Sequence, residues 1–387
     1  MAVNFNYKSL LFLLIVIGGC RKPYTPPAVN APNSYLVVEG VIDSGGDSTV
    51  IKLSRTVNLS SKTTSNPQTG AIVTIENDQN AILTLKDNGD GSYVSAGLSI
   101  DNTRRYRLRI KTSDNREYLS AFVPVQITPP IDSVGYKIVN EGLLIYANSH
   151  DPTNTVQYYR WTYDDGWIFN ADYLSQFVAQ NGVLTSRGLA TEVYTCFGSG
   201  SSSDIVLAKT TNLKQAVVYQ QPIATIPTTS EKLETEYSIL VKQYALTQPA
   251  YNFYSLLKTN TEQLGTIFDA SPSEVPGNIQ CISNPSEPVI GFVSVNNVQT
   301  KRIFVHKSQL PSKWTAQYPY SCEVDTAYYD EYVLNKGSEN QVQAFLIDSP
   351  QMYTALFELL GKWTYSTHIC ADCTVRGTRN PPAYWEY

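Results

Sequence analysis

Short apolar segments with polar residues at every second position recur from residue 35 to residue 127. In the segment YRLRIKT, apolar Tyr106, Leu108 and Ile110 alternate with basic residues, and this period of two predicts a strand with one solvated face. Turn signals separate such segments about every 8–12 residues, a spacing typical of a small antiparallel sandwich. We therefore predict an Ig-like or transthyretin-like domain over residues 35–127. It ends before Pro129 and Pro130, which cannot continue sheet pairing.

The remaining residues, 128–387, predict a larger β-rich domain with one or two helices and a cysteine-containing tail, so the whole chain is expected to be mainly β. The segment PAYNFYSLLKTNTEQLG, 249–265, begins with proline, places apolar residues near helical spacing and ends with glycine. These features predict an amphipathic helix. The segment SPQMYTALFELLGKW, 349–363, is a second candidate helix.

The N-terminus carries an export pattern. Lys8 precedes the apolar run from Leu10 to Ile17, which stops at Gly18-Gly19-Cys20. A membrane-spanning helix needs ~20 apolar residues, whereas a signal-peptide core needs ~7–15. The stop resembles a bacterial lipobox, so we predict a lipoprotein signal peptide over 1–19, lipidation of Cys20, and a proline-rich tether over 20–34. An ordinary signal peptide and a retained N-terminal anchor are the alternatives.

The net charge of the chain, and the catalytic motifs that its sequence lacks, argue against several classes of function. The net charge of −5 argues against a nucleic-acid partner, which would favour a clustered basic excess. The basic strand at 105–111 is better explained as a solvated face than as an anion-binding patch. The three histidines, His150, His306 and His368, belong to no zinc-protease pattern, and no nucleophile elbow, phosphate loop or dinucleotide motif is present in the sequence. We therefore expect no enzymatic activity and no cofactor.

One acidic pair keeps a hydrolase alternative open. Asp164 and Asp165 lie in WTYDDGWIFN, where they could flank a sugar while Trp161, Trp167 and Phe169 stack on it. The competing interpretation, an acidic turn between core aromatic residues, is favoured by the sequence.

The cysteines predict disulfides once the chain is exported. Five remain after Cys20, namely Cys196, Cys281, Cys322, Cys370 and Cys373, and an odd number suggests two bridges and one free thiol. Pairing the last two would close a tiny loop, contributing about 2 kcal/mol, against roughly 4 for a loop of about forty residues. Long-range bridges that hold the tail are therefore favoured. A redox-active pair and a zinc site completed by a nearby histidine are the alternatives.

The order of short phrases along the chain resembles a known family. The phrases YLVVEGVI, PPIDSVGY, YYRW, YTCF and CADCTVRGTRNPPAYW are similar to those of Bacteroidota lipoproteins grouped as domain of unknown function 4249. This resemblance implies a cell-envelope lipoprotein of the outer membrane, of a kind often found beside TonB-dependent receptors, with no established reaction. Arg21 and Lys22 stand where surface-exposed lipoproteins of that phylum carry acidic residues, so the surface and periplasmic faces both stay open.

The expected function is accordingly a non-enzymatic outer-membrane lipoprotein, an accessory or ligand-capture subunit of a TonB-dependent receptor system. Its expected partners are the membrane, through the lipid, and that receptor. A structural or adhesive envelope protein and an envelope-polymer hydrolase are the alternatives.

Overall fold

A computed structural model of the chain describes residues 34–57, 66–262, 275–329, 331–333 and 337–385. The signal peptide, Cys20 and nearly all of the tether lie outside these residues, so they stay predictions. Within the described ranges, no helix combines the length and the apolar character that crossing a membrane requires.

Strands account for most of the regular structure in the described residues. The first fourteen are β1 (Leu36–Asp43), β2 (Thr49–Arg55), β3 (Ile72–Asn77), β4 (Ile82–Thr84), β5 (Lys86–Asp87), β6 (Ser92–Ser95), β7 (Arg105–Lys111), β8 (Glu117–Ser120), β9 (Val123–Ile127), β10 (Ile131–Val139), β11 (Gly142–Asp151), β12 (Tyr158–Asn170), β13 (Phe177–Gln180) and β14 (Val183–Ser186). The others are β15 (Thr195–Ser201), β16 (Val206–Lys209), β17 (Ala216–Pro227), β18 (Glu236–Ala245), β19 (Ile279–Cys281), β20 (Val289–Gly291), β21 (Val295–Asn297), β22 (Gln299–His306), β23 (Asp325–Ala327), β24 (Glu331–Val333), β25 (Gly337–Glu339), β26 (Tyr353–Leu359) and β27 (Lys362–Thr367). The helices are α1 (Gln248–Glu262), α2 (His368–Ala371) and a π-helix at Val342–Ile347, with 3₁₀ turns at Leu189–Thr191, Glu231–Leu233, Lys307–Gln309 and Cys373–Val375.

The first sheet curls nearly into a barrel. Its main path runs β19-β8-β7-β9-β21-β1-β2-β6-β5, with β20 on β1, β3 on β7 and β4 on β3. The alternation in YRLRIKT places Tyr106, Leu108 and Ile110 in its core, beside Leu36 and Ile51. The prediction of a mainly β chain built from antiparallel sheets is confirmed.

Three strands of this sheet come from far along the chain. Strands β19, β20 and β21 pair with β8, β1 and β9, although they lie at residues 279–297. Their apolar side chains complete the first core, since Ile279, Val289, Val293 and Val295 are all buried there. The division of the chain near residue 128 stays a prediction, but this inserted segment, residues 279–297, belongs to the first sheet.

One carboxylate attaches the inserted segment to the first sheet. Glu287, whose side chain is 6% exposed, accepts hydrogen bonds from Arg55, Arg116 (2.8 Å) and the Tyr118 hydroxyl (2.8 Å). Burial and the bond to Glu287 raise the pKa of Tyr118 to about 12, so its phenol stays a donor.

Glu287→Gln is expected to lower the free energy of unfolding by about 3 kcal/mol, because it leaves two arginines without their shared charge partner. Hydrogen exchange of residues 279–297 should accelerate as well. Glu117→Gln removes a carboxylate that is 36% exposed and also pairs with an arginine, Arg109, so as a control it should cost less than about 1 kcal/mol. Equal losses of unfolding free energy in the two variants would contradict the role of Glu287 in attaching residues 279–297.

The second body is a sandwich of two sheets. One sheet has the order β10-β11-β17, and the other has the order β15-β12-β18-β22 with β16 also on β12. Tyr159, Trp161 and Tyr237 are fully buried between them. The Gln243 side chain accepts from Trp161 Nε1 (2.9 Å) and donates to the Pro129 carbonyl (2.8 Å). This buried amide links the sandwich core to the prolines that follow β9.

Of the two candidate helices, only the first is a helix. The segment predicted at 249–265 forms α1, which the structure describes as far as Glu262. The helix predicted at 349–363 is wrong, since β26 and β27 form a hairpin there. Leu360 and Gly361 adopt φ of 53° and 76° at its turn, which a right-handed helix excludes. Aromatic and β-branched residues on both sides favour strands.

Two disulfides hold the C-terminal tail. Cys196 is joined to Cys373, and Cys322 to Cys370, whereas Cys281 is a free, buried thiol in the first core. The prediction of disulfides is confirmed, and both bridges are long-range.

The aromatic end of the tail packs beside these bridges. Trp385 is buried, its ring contacts Phe197 and Phe304, and its Nε1 donates to Glu236 (2.8 Å). The tail is therefore fixed to the second sandwich.

Candidate ligand-binding cleft

A cavity of about 730 Å³ lies between the first sheet and the second sandwich, beside α1. Its volume falls within the ~300–1,000 Å³ typical of small-molecule sites. Strand alternation explains its first wall: Leu36 and Val38 of β1 point into the first core, so Val37, Glu39 and Val41 face the cleft.

The opposite wall comes from β12 and β18. In their antiparallel register Arg160 lies opposite Tyr244, and Thr162 lies opposite Lys242. Because neighbouring residues such as Trp161 point into the sandwich core, these four side chains lie on the other face of the sheet, where they line the cleft.

Helix α1 closes one end of the cleft. Phe253 and Tyr254 are buried with Phe292 of the inserted segment, and Leu257 packs against them half-buried. The amphipathic pattern of α1 thus places its apolar face where the first sheet and the second sandwich meet.

Arg160 is the most unusual group in the cleft. Its guanidinium carbon lies 4.3 Å from the ring centre of Tyr254 and 5.5 Å from that of Tyr244, so two aromatic faces stabilise its charge. Its Nε is buried without a hydrogen-bond partner, and among the described residues no acceptor reaches the guanidinium group. Lys242, the other lining cation, is paired with Asp164 at 2.5 Å.

The rim of the cleft is acidic. Glu39, Asp47 and Asp204 line it as exposed residues. The carboxylate of Asp43 is buried and accepts backbone N–H groups of Gly45 (3.0 Å), Asp47 (2.9 Å) and Val298 (3.2 Å). In the part of the chain that the structure describes, the cleft therefore combines one unpaired cation at its inner wall with negative charge at its edge.

A second cavity of about 600 Å³ shares Phe253 and Phe292 with the cleft. Its lining is largely apolar, and its arginine, Arg105, already donates to the carbonyl of Phe122 at 2.7 Å. Among its described lining residues, it thus has no cation without a hydrogen-bond acceptor, which is the feature that distinguishes the first cavity.

The aromatic residues predicted to stack on a ligand lie elsewhere. Trp161 and Phe169 are fully buried in the core and offer no face to a ligand. Trp167 is half-buried, its Nε1 donates to Glu231 (3.1 Å), and the Lys232 ammonium lies 4.7 Å from the ring centre. None of the three lines the cleft.

The two neighbouring acids do not form a catalytic pair, since adjacent residues of a strand point to opposite faces. Asp164 pairs with Lys242, whereas Asp165 is buried and bonded to Lys232 (2.5 Å) and the Tyr237 hydroxyl (3.0 Å). Burial, with the Asp165 charge beside it, raises the pKa of Tyr237, so its phenol stays a donor.

The histidines and cysteines also lie away from the cleft. His150 contacts Asp132, His306 contacts Glu236, and His368 contacts Thr354. Cys370 and Cys373, considered with His368 for a zinc site and as a redox pair, are bonded to Cys322 and Cys196 and so provide no thiolate.

Arg160 is not among the residues predicted from the sequence, although its place in the strand carries a signal. In YYRW a cation stands between aromatic residues inside a strand, and period-two alternation places it on the face opposite Trp161. That this face meets α1 and the first sheet depends on contacts between distant segments, which the alternation does not contain.

Comparison with known proteins gives a family and no function. No curated protein matches the chain. The family model described as Domain of unknown function (DUF4249) matches residues 21–302, most of the chain, including both walls of the cleft and α1. The chain belongs to this family of unknown function.

Proposed function

We propose that the protein is a non-enzymatic lipoprotein of the outer membrane that captures a small ligand in the cleft, as an accessory subunit of a TonB-dependent receptor system. The observation that carries the capture role is Arg160, a cation that none of the described residues pairs, in a cavity of about 730 Å³. The export pattern ending at Cys20 supports the lipid anchor, and the family resemblance supports the receptor partnership.

The lining chemistry favours binding over hydrolysis. Of the three histidines, none is among the lining residues, and Asp164 and Asp165 point to opposite faces of β12. The hydroxyls of Ser202 and Ser203 therefore have no histidine beside them to act as a base. A structural or adhesive role would leave the charge of Arg160 unexplained.

Co-purification from the native membrane tests the receptor partnership. Wild-type protein, solubilised in mild detergent, should recover a β-barrel receptor, and Cys20→Ala should prevent both lipid labelling and that recovery. Proteinase treatment of intact cells should then show which face of the outer membrane carries the protein. Recovery of wild-type protein without any barrel, under conditions that preserve other receptor complexes, would contradict the accessory role and favour the structural alternative.

A further inference from the structure

We infer that the cleft binds a small ligand with one carboxylate group next to an apolar body, and that Arg160 binds the carboxylate. A short apolar peptide with a free C-terminus has this chemistry. The inference deepens the proposed capture role and rests on it.

The guanidinium group of Arg160 has no hydrogen-bond acceptor in the described part of the chain. A guanidinium group carries five N–H donors and stays charged, yet none of those of Arg160 has an acceptor among the described residues. Buried polar groups without partners are rare in folded proteins, and each needs an explanation. A carboxylate matches the planar fork of a guanidinium with two parallel hydrogen bonds. The rings of Tyr244 and Tyr254 stabilise its charge but are not hydrogen-bond acceptors for it, so its N–H donors remain for a ligand.

The charges around Arg160 favour a ligand with a single carboxylate. Lys242 is neutralised by Asp164, so among the described residues Arg160 is the one lining cation without a carboxylate partner. Glu39, Asp47 and Asp204 are negative at the rim, and like charges repel a ligand with several anionic groups. A ligand with one carboxylate and an amine at its other end fits this arrangement better than a phosphorylated or polycarboxylate one.

Apolar surface lies in the cleft between these charges. Val37, Val41, Leu257 and Ile290 line the cleft without being fully buried. Covering such surface with apolar groups of a ligand stabilises the complex. Leucine-sized side chains between the carboxylate and the amine would therefore contribute to affinity.

Calorimetry with three forms of one tripeptide tests the inference. The probes are leucyl-leucyl-alanine with both ends free, its C-terminal amide, and the N-succinyl derivative, which carries two carboxylates. The free tripeptide should bind, the amide should bind at least about tenfold more weakly because it lacks the anion for Arg160, and the succinyl form should also bind more weakly because of the acidic rim.

Removing the charge of Arg160 should abolish the preference for the free acid over the amide. Arg160→Gln should bind the acid and the amide equally, whereas Arg160→Lys, which keeps the charge, should retain part of the preference. Arg302→Gln is the matched control, since Arg302 also lies over a tyrosine, 3.6 Å from the ring centre of Tyr384, but outside the cleft. It should bind like the wild type, and thermal unfolding should show that each variant is folded.

The outcomes separate this inference from the receptor proposal. No binding of any probe by wild-type protein, or equal binding of acid and amide, overturns the inference even if the protein co-purifies with a barrel. A preference for the acid that depends on Arg160, without a barrel partner, supports the inference and contradicts the receptor partnership.

Discussion

Replacing Cys196 and Cys373 together by alanine is expected to lower the free energy of unfolding by about 5 kcal/mol. The bridge closes a sequence separation of 177 residues, and in the chain-entropy treatment the stabilisation grows with the logarithm of the loop length. Both cysteines are fully buried beside Phe169, so loss of the bridge also loosens the core between β15 and the tail. Denaturant unfolding of protein produced in an oxidising compartment measures the change.

The second bridge provides the matched control. Replacing Cys322 and Cys370 removes a loop of 48 residues, for which the same treatment gives about 4 kcal/mol, so this pair should cost less. Non-reducing peptide mapping should recover each bridge in the wild type. An unchanged unfolding midpoint for the Cys196 and Cys373 variant, or a map that joins Cys370 to Cys373, would contradict the fold of the tail.

Trp161→Ala is expected to cost about 4 kcal/mol of unfolding free energy, the usual range for removing a buried tryptophan. The side chain is fully buried, and its removal also leaves the Gln243 carbonyl oxygen without its donor. Thermal and denaturant unfolding without any ligand measure the effect.

Two further variants distinguish a core role from a ligand-stacking role. Trp161→Phe keeps an aromatic ring in the core but loses the hydrogen bond, so it should cost less than alanine. Tyr219→Ala removes an aromatic side chain that is 75% exposed and should change stability by less than about 0.5 kcal/mol. A cost for Trp161→Ala as small as that for Tyr219→Ala would show that Trp161 does not support the core.

The local pattern predicted the strands well because, in a half-buried sheet, apolar residues of the buried face alternate with polar residues of the solvated face. The segment from Arg105 to Lys111 is an example, and α1 is its helical counterpart. The failure at 349–363 is also local: the apolar spacing fits a helix, but Leu360 and Gly361 take the positive φ of a hairpin turn. The turn at these two residues therefore decides for a hairpin against the helix that the periodicity predicts. Such ambiguity between helix and strand is common for short apolar segments.

The cleft could not be predicted because its walls come from distant parts of the chain. Strand alternation places Arg160 and Trp161 on opposite faces of β12, but it does not predict which of these faces packs against the first sheet. Strands β19 to β21 pair with strands that lie more than a hundred residues earlier in the chain. The sequence of a short apolar segment does not specify which distant strand it pairs with. The aromatic residues first considered for ligand contact thus belong to the core, and their neighbour on the other face lines the cleft.

A crystal structure of the protein with leucyl-leucyl-alanine bound would show directly whether Arg160 binds the carboxylate of a ligand. We expect electron density for the peptide in the cleft between β1 and β12, with its carboxylate within hydrogen-bonding distance of the Arg160 guanidinium and its amine toward Glu39 and Asp47. Peptide bound elsewhere, or an Arg160 side chain paired with an acidic residue of the protein while the cleft stays empty, would contradict it.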